Sequence, residues 1–152
     1  MAKNILLLNG PNLNMLGKRD PVLYGNITLK KVEAACEELA EKHGMKLNSE
    51  QTNYEGKLVE LIHEARETSD AIIINPGAYS HTSVAIFDAL EMFEGPIIEV
   101  HISNIHKRES FRHYSYVSQR ADSVIVGCGV QGYELAFCLL YTSPSPRDVE
   151  ES

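Results

Sequence analysis

Short aliphatic runs alternate along this chain with longer stretches in which apolar residues recur every three or four positions. Ile5-Leu6-Leu7-Leu8 is apolar on both faces, as a strand covered from both sides must be. Leu29, Val32, Ala35, Cys36, Leu39 and Ala40 keep the spacing of one helix face, with Thr28 placed to cap its start and Gly44 its end. Met45 to Gln51 alternates weakly and reads as a second strand near a sheet edge. Leu58, Leu61, Ile62 and Ala65 mark a second helix, and Ala71 to Asn75 a third strand stopped by Pro76-Gly77. Thr82 or Ser83 then caps a helix with Ile86, Ala89, Leu90 and Phe93 on one face. Pro96 to His101 and Ser123 to Cys128 read as a fourth and fifth strand. A last helix carries Tyr133, Ala136, Phe137 and Leu140.

Strands separated by single helices form βαβ units, so the fold class is α/β: a parallel sheet with helices on both faces. Five such strands predict a flavodoxin-like three-layer arrangement, which binds ligands beyond the carboxyl ends of the strands. One domain over residues 1–141 accounts for the pattern. From Thr142 onward the chain carries Pro144 and Pro146, which cannot continue a helix, and has little to bury. Residues 142–152 are expected to be a disordered tail.

Composition narrows the class further. Of 152 residues, 43% are apolar and 23% charged, as in a globular protein with its own core. Lys plus Arg is 14 against 21 for Asp plus Glu, a net charge of −7, which argues against a nucleic-acid partner. An anionic small molecule remains compatible, because local arginines can overrule net charge. No apolar run approaches the ~20 residues of a membrane span, and the N-terminus lacks a signal-peptide layout. A soluble cytoplasmic protein is expected. Cys36, Cys128 and Cys138 have no zinc or C-x-x-C spacing and read as buried free thiols.

The chemistry gathers just after the strands. Asn9-Gly-Pro-Asn12-Leu-Asn14 follows the first, Asn75-Pro-Gly-Ala-Tyr-Ser-His81 the third, and His101-Ile102-Ser103-Asn104 the fourth, with Arg108 and Arg112 beyond. The segment from 10 to 28 is far longer than the about two to six residues usual between strand and helix, which suits a lid or binding loop. It has neither the dinucleotide nor the P-loop glycine pattern. Asn12 and Asn14 also suit plain turns. Arg19 and Tyr24 lie within that loop. A tyrosine acts as a base only as phenolate, about 0.1% of it at pH 7, and a three-unit shift takes roughly 4 kcal/mol of differential interaction. A neighbouring guanidinium favours that form. His81 and His101 are placed to protonate or hold a substrate oxygen, or are structural histidines. Glu99 shares the strand side of His101 and is a candidate to orient it. Arg108 and Arg112 suit an anion, or form a solvated cluster. The helix start at Thr82-Ser83 offers N–H groups to oxygen atoms. Neither an H-E-x-x-H metal motif nor a G-x-S-x-G elbow occurs.

Three stretches, Asn9-Gly-Pro-Asn-Leu-Asn-Met-Leu-Gly-Lys-Arg-Asp-Pro-x-x-Tyr-Gly25, Asn75-Pro-Gly-Ala-Tyr-Ser-His-Thr-Ser-Val-Ala85 and Glu99-Val-His-Ile-Ser-Asn104 with Arg108 and Phe111-Arg112, resemble the type II 3-dehydroquinate dehydratases. The resemblance runs from about Lys3 to Phe137 and implies a lyase of the shikimate pathway to chorismate and the aromatic amino acids, or of quinate breakdown. It implies a flavodoxin-like fold, a homododecamer built of trimers, and no metal or cofactor. The substrate would be 3-dehydroquinate and the product 3-dehydroshikimate. Tyr24 would be the base, its pKa lowered by Arg19, and Asn12 would hold a water that stabilises the enolate. His101, oriented by Glu99, would be the acid. Asn75 and the backbone of Ile102 and Ser103 would hold the carboxylate, His81 and Arg112 would contact hydroxyls, and Asp88 would reach in from a neighbouring subunit. Met15 and Asp20 depart mildly from the family's usual Leu and Glu, and the last helix gives way early to the proline-bearing tail, which bears on assembly. The alternative is a non-catalytic flavodoxin-like module that binds a small polyhydroxy acid. A phosphoacceptor domain of this topology would want an acidic residue where Asn9 and Asn75 stand.

Overall fold

The computed structural model describes residues 3–18, 22 and 26–142. Five strands, β1 (Asn4–Asn9), β2 (Lys46–Gln51), β3 (Ala71–Asn75), β4 (Ile97–His101) and β5 (Ser123–Val126), form one parallel sheet in the order β2-β1-β3-β4-β5. Packed on the sheet are α1 (Leu29–Lys42), α2 (Glu55–Thr68), α3 (Val84–Glu91) and α4 (Gln131–Thr142). This is the expected α/β, flavodoxin-like architecture, with the weakly alternating β2 at an edge.

Alternation along the strands divides the core into two layers. Ile5 and Leu7 of β1 and Ile98 and Val100 of β4 pack with Val32, Cys36, Tyr133 and Phe137 of α1 and α4. Leu6 and Leu8 of β1 and Ile97 of β4 pack with Leu58, Ile62, Ile86 and Leu90 of α2 and α3. Each buried Val, Leu, Ile or Phe side chain among these stabilises by about 1.5–3 kcal/mol. The odd-numbered residues of β4 face the α2 and α3 layer, so Glu99 and His101 share that side, as the alternation predicts.

Between β1 and β3 the sheet order reverses. The chain leaves β1 for β2 on one side and returns to β3 on the other, and the diverging connections open a crevice at the carboxyl ends. Gly10 lets the two connections meet: a Cβ there would stand 2.5 Å from the Pro76 carbonyl oxygen. Its N–H donates to the Asn75 carbonyl at 2.8 Å. Gly77 takes φ +59° with the Pro11 backbone against it, a conformation that favours glycine.

Several local expectations are refined. Thr28 accepts from the Lys31 N–H and Gly44 follows α1 with φ +71°; Ser83, not Thr82, caps α3 by accepting from the Ile86 N–H at 2.9 Å. β5 ends at Val126 rather than Cys128, because Gly127 turns the chain with φ +80°. The α4 helix includes Thr142, one residue beyond the expected end of the domain; residues 143–152 of the tail lie outside the described residues. The three cysteines are free, but only Cys36 is buried, with its thiol pushed up to about 12 chiefly by burial. Cys128 sits in the exposed turn after β5 and Cys138 is half-buried on α4, so the expectation of three buried thiols is corrected. Among the described residues no helix is long and apolar enough to cross a membrane.

Candidate active site

The crevice is lined by three segments that each leave a strand end. Pro11, Asn12 and Leu13 follow β1; Asn75, Gly77, Ala78 and His81 end or follow β3; His101, Ile102, Ser103, Ile105, Arg108 and Arg112 end or follow β4. Of the candidates named from sequence, Asn12, Asn75, His81, His101, Ile102, Ser103 and Arg112 therefore come together in one place.

Glu99 stands directly behind His101. Its carboxylate is completely buried and accepts from His101 Nε2 at 2.5 Å, Ser115 Oγ at 2.7 Å and Ser118 Oγ at 2.5 Å. Burial alone would push this carboxyl up. The bonds from His101, Ser118 and Ser115 outweigh it and hold the group below its ordinary value, so it stays ionised at neutral pH. A carboxylate against Nε2 fixes a proton on that nitrogen and leaves Nδ1 as the ring nitrogen not spent on Glu99.

His81 faces His101 with ring centroids 6.1 Å apart and planes inclined by 21°. Its Nδ1 donates to the Tyr114 carbonyl at 2.8 Å. Burial lowers its pKa, and the nearby His101 and Arg112 lower it further against the carbonyl's opposing effect. His81 is thus neutral at pH 7, with Nε2 toward the Ser80 hydroxyl at 3.4 Å. Two imidazoles a ring's width apart are held in different roles by their second nitrogens.

The first loop is anchored from β2. Asn12 takes φ 70°, and its N–H donates to Asn53 Oδ1 at 2.9 Å. Gln51 Nε2 donates to the Gly10 carbonyl at 3.1 Å and to Asn53 Oδ1 at 3.2 Å. Tyr79 closes the set by donating to the Asn53 carbonyl. On the far side, Arg112 pairs with Glu109 and lies over the Phe111 ring, and Arg108 donates to Ser103 Oγ at 3.4 Å. The Ile102 and Ser103 N–H groups take no acceptor among the described residues.

Three expectations fare differently. The N–H groups of Thr82 and Ser83 both donate to the Tyr79 carbonyl, so that helix start is used by its own chain and does not line the crevice. Asp88 lies on the exposed side of α3, apart from the crevice of its own chain. Arg19 and Tyr24 lie outside the described residues. Sequence reasoning missed Ser115, Ser118, Gln51 and Asn53. The serines sit in a stretch of short 3-10 turns without periodicity, and β2 looked like an edge strand with no chemistry. Among the described residues, no three His, Cys, Asp or Glu side chains gather as a metal site.

The model of the class II dehydroquinase family matches residues 3–141. The chain is 59% identical over 136 residues to a 3-dehydroquinate dehydratase of Cereibacter sphaeroides, covering 90% of this chain and 92% of that one. It is 62% identical over 130 residues to a 3-dehydroquinate dehydratase of Streptomyces coelicolor, covering 85% and 83%. The crystal structure of a type II dehydroquinase from Propionibacterium acnes superposes with a TM-score of 0.89 at 45% identity, covering 94% of this chain and 99% of that one.

Proposed function

This chain belongs to the class II dehydroquinase family, and from that premise we propose that it converts 3-dehydroquinate to 3-dehydroshikimate and water by stepwise anti elimination. The observation that carries the reading is the buried Glu99–His101 pair, opposed by a neutral His81, at the switch point of the sheet. A merely binding module has no need of a histidine set against an ionised buried carboxylate.

The leaving hydroxyl on C1 is β to the C3 ketone, so the C2 proton is the one a base can take first. Tyr24, as a phenolate favoured by the charge of Arg19, removes it. The electron pair of that C–H bond moves into the carbonyl and forms an enolate. A water held by Asn12 stabilises the developing oxyanion. His101 then gives a proton to the C1 hydroxyl. The C1–O bond breaks, water leaves, and the enolate electrons return to form the C1–C2 double bond. Glu99 fixes the ring and stabilises the imidazolium that supplies the proton. Asn75 and the N–H groups of Ile102 and Ser103 hold the carboxylate, while His81 and Arg112 contact ring hydroxyls. The elimination moves one proton off carbon and one onto oxygen, with no redox step.

Asp88 is exposed on α3 and does not line its own crevice, which fits a contribution to a neighbour's site in a homododecamer of trimers. The proposed setting is the cytoplasmic shikimate pathway. The test is an ultraviolet assay for the conjugated enone carboxylate on incubation with 3-dehydroquinate. Turnover supports the reading; stoichiometric binding without new absorbance would favour a binding module.

A further inference from the structure

One buried hydrogen-bond chain lies beneath the crevice and has no part in the proton transfers above. Tyr133, in the first turn of α4, is completely buried. Its hydroxyl donates to Asn9 Oδ1 at 2.6 Å, and Asn75 Nδ2 donates to the same hydroxyl oxygen at 2.9 Å. On its other end, Asn75 Oδ1 accepts from the Gly77 N–H at 3.1 Å. Donation therefore runs one way, from Gly77 through Asn75 and Tyr133 to Asn9. Asn9, also completely buried, spends its side-chain carbonyl on this bond, while its Nδ2 has no partner among the described residues.

We infer that Tyr133 is a positioning residue which fixes the orientation of the Asn75 carboxamide, so that an N–H rather than a carbonyl faces the substrate carboxylate. The inference rests on the proposed function for the carboxylate itself. A carboxamide has two faces of opposite polarity and nearly equal shape. Turned over, Asn75 would set its oxygen against an anion. The Tyr133 proton is committed to Asn9, so the phenol has only lone pairs left for Asn75 and demands a donor from it. The Gly77 N–H demands an acceptor. Both ends specify one orientation, with the second Nδ2 hydrogen left for the crevice that Asn75 lines. Burial keeps the phenol protonated by raising its pKa well above the ordinary 10.0. The α4 helix, remote in sequence from the crevice residues, thereby acts on substrate binding.

The test is a cycle of steady-state kinetics with 3-dehydroquinate on the full chain and on Tyr133→Phe, Asn75→Ala and the double variant. Tyr133→Phe should raise KM about tenfold with kcat within about threefold of the parent. In the Asn75→Ala background the same change should alter KM less than twofold, because its target is gone. An equal factor in both backgrounds, or a fall in kcat at constant KM, would overturn the inference. Should Tyr133→Phe fail to fold, Asn9→Leu replaces it: removing the acceptor frees the hydroxyl proton to turn toward Asn75. KM should again rise, and a parental KM would overturn the inference. A parent chain that turns over 3-dehydroquinate while the cycle shows no coupling refutes the role of Tyr133 alone. A parent without turnover refutes the function and this inference with it.

Discussion

The two ends of the sheet are both polar, but their polar groups are employed differently. At the amino ends, Asp70 accepts from the Asn4 N–H and Asp122 from the Ile97 N–H, each at 2.8 Å. Arg120 donates to the carbonyls of Leu90, Phe93 and Gly95 and to Asp122. Every one of these bonds ties the chain to itself, and both carboxylates stand exposed. At the carboxyl ends, Asn9, Asn75, Glu99 and His101 are buried, the more costly place for a polar group. There the bonding holds groups in fixed orientations: His101 Nδ1 is not spent on Glu99, Asn75 Nδ2 has a second hydrogen beyond the one given to Tyr133, and the Ile102 and Ser103 N–H groups take no acceptor among the described residues. Polarity alone does not mark a site in this fold. Buried polar groups with directed capacity left over do.

The difference is sharpest for activity. His101→Gln keeps a donor against Glu99 but removes the titratable ring, and should lower turnover at least about 100-fold with little change in unfolding free energy. At the opposite end, Arg120→Ala should lower stability by about 1–3 kcal/mol in urea unfolding, since it strands the Phe93 and Gly95 carbonyls, and leave kcat/KM of the folded enzyme unaltered. A loss of activity at constant stability there would break the comparison. The weakest effect is on pH. Folding lowers the pKa of both His81 and Glu99, so the unfolded chain takes up their protons first as pH falls. Stability should therefore be full near pH 7, decline below about 6.5 through His81, and decline further below about 4.5 through Glu99. Ser118→Ala removes one donor to Glu99 and should shrink the lower of these two losses, as followed by thermal melting.

What could be read from the sequence divides along the same line. Aliphatic runs such as Ala71 to Ile74 and the spacing of α1 are local signals, and they specified the sheet and its helices. The Glu99–His101 pair was legible because strand alternation places residues two apart on one side. Nothing local marks Ser115 or Ser118 as partners of Glu99, since the turns between β4 and β5 take their path from tertiary contacts. Tyr133 read as one more apolar residue on a helix face; its hydroxyl acquires a role only when α4 packs on the sheet and brings it to Asn9 at the end of β1 and Asn75 at the end of β3. Asn53 was invisible for the same reason, its partner Asn12 being 41 positions away. The cysteines failed because burial was assigned from residue type, and Cys128 falls in a glycine turn.

In the proposed reaction the acid, His101, is distinct from the base that opens it. Incubating His101→Gln with 3-dehydroquinate in deuterium oxide, and following deuterium at C2 by NMR alongside product absorbance, tests it directly. C2 exchange should persist while dehydration falls at least about 100-fold, because proton removal precedes loss of the hydroxyl. Dehydration at the parental rate, or loss of exchange together with dehydration, would contradict it.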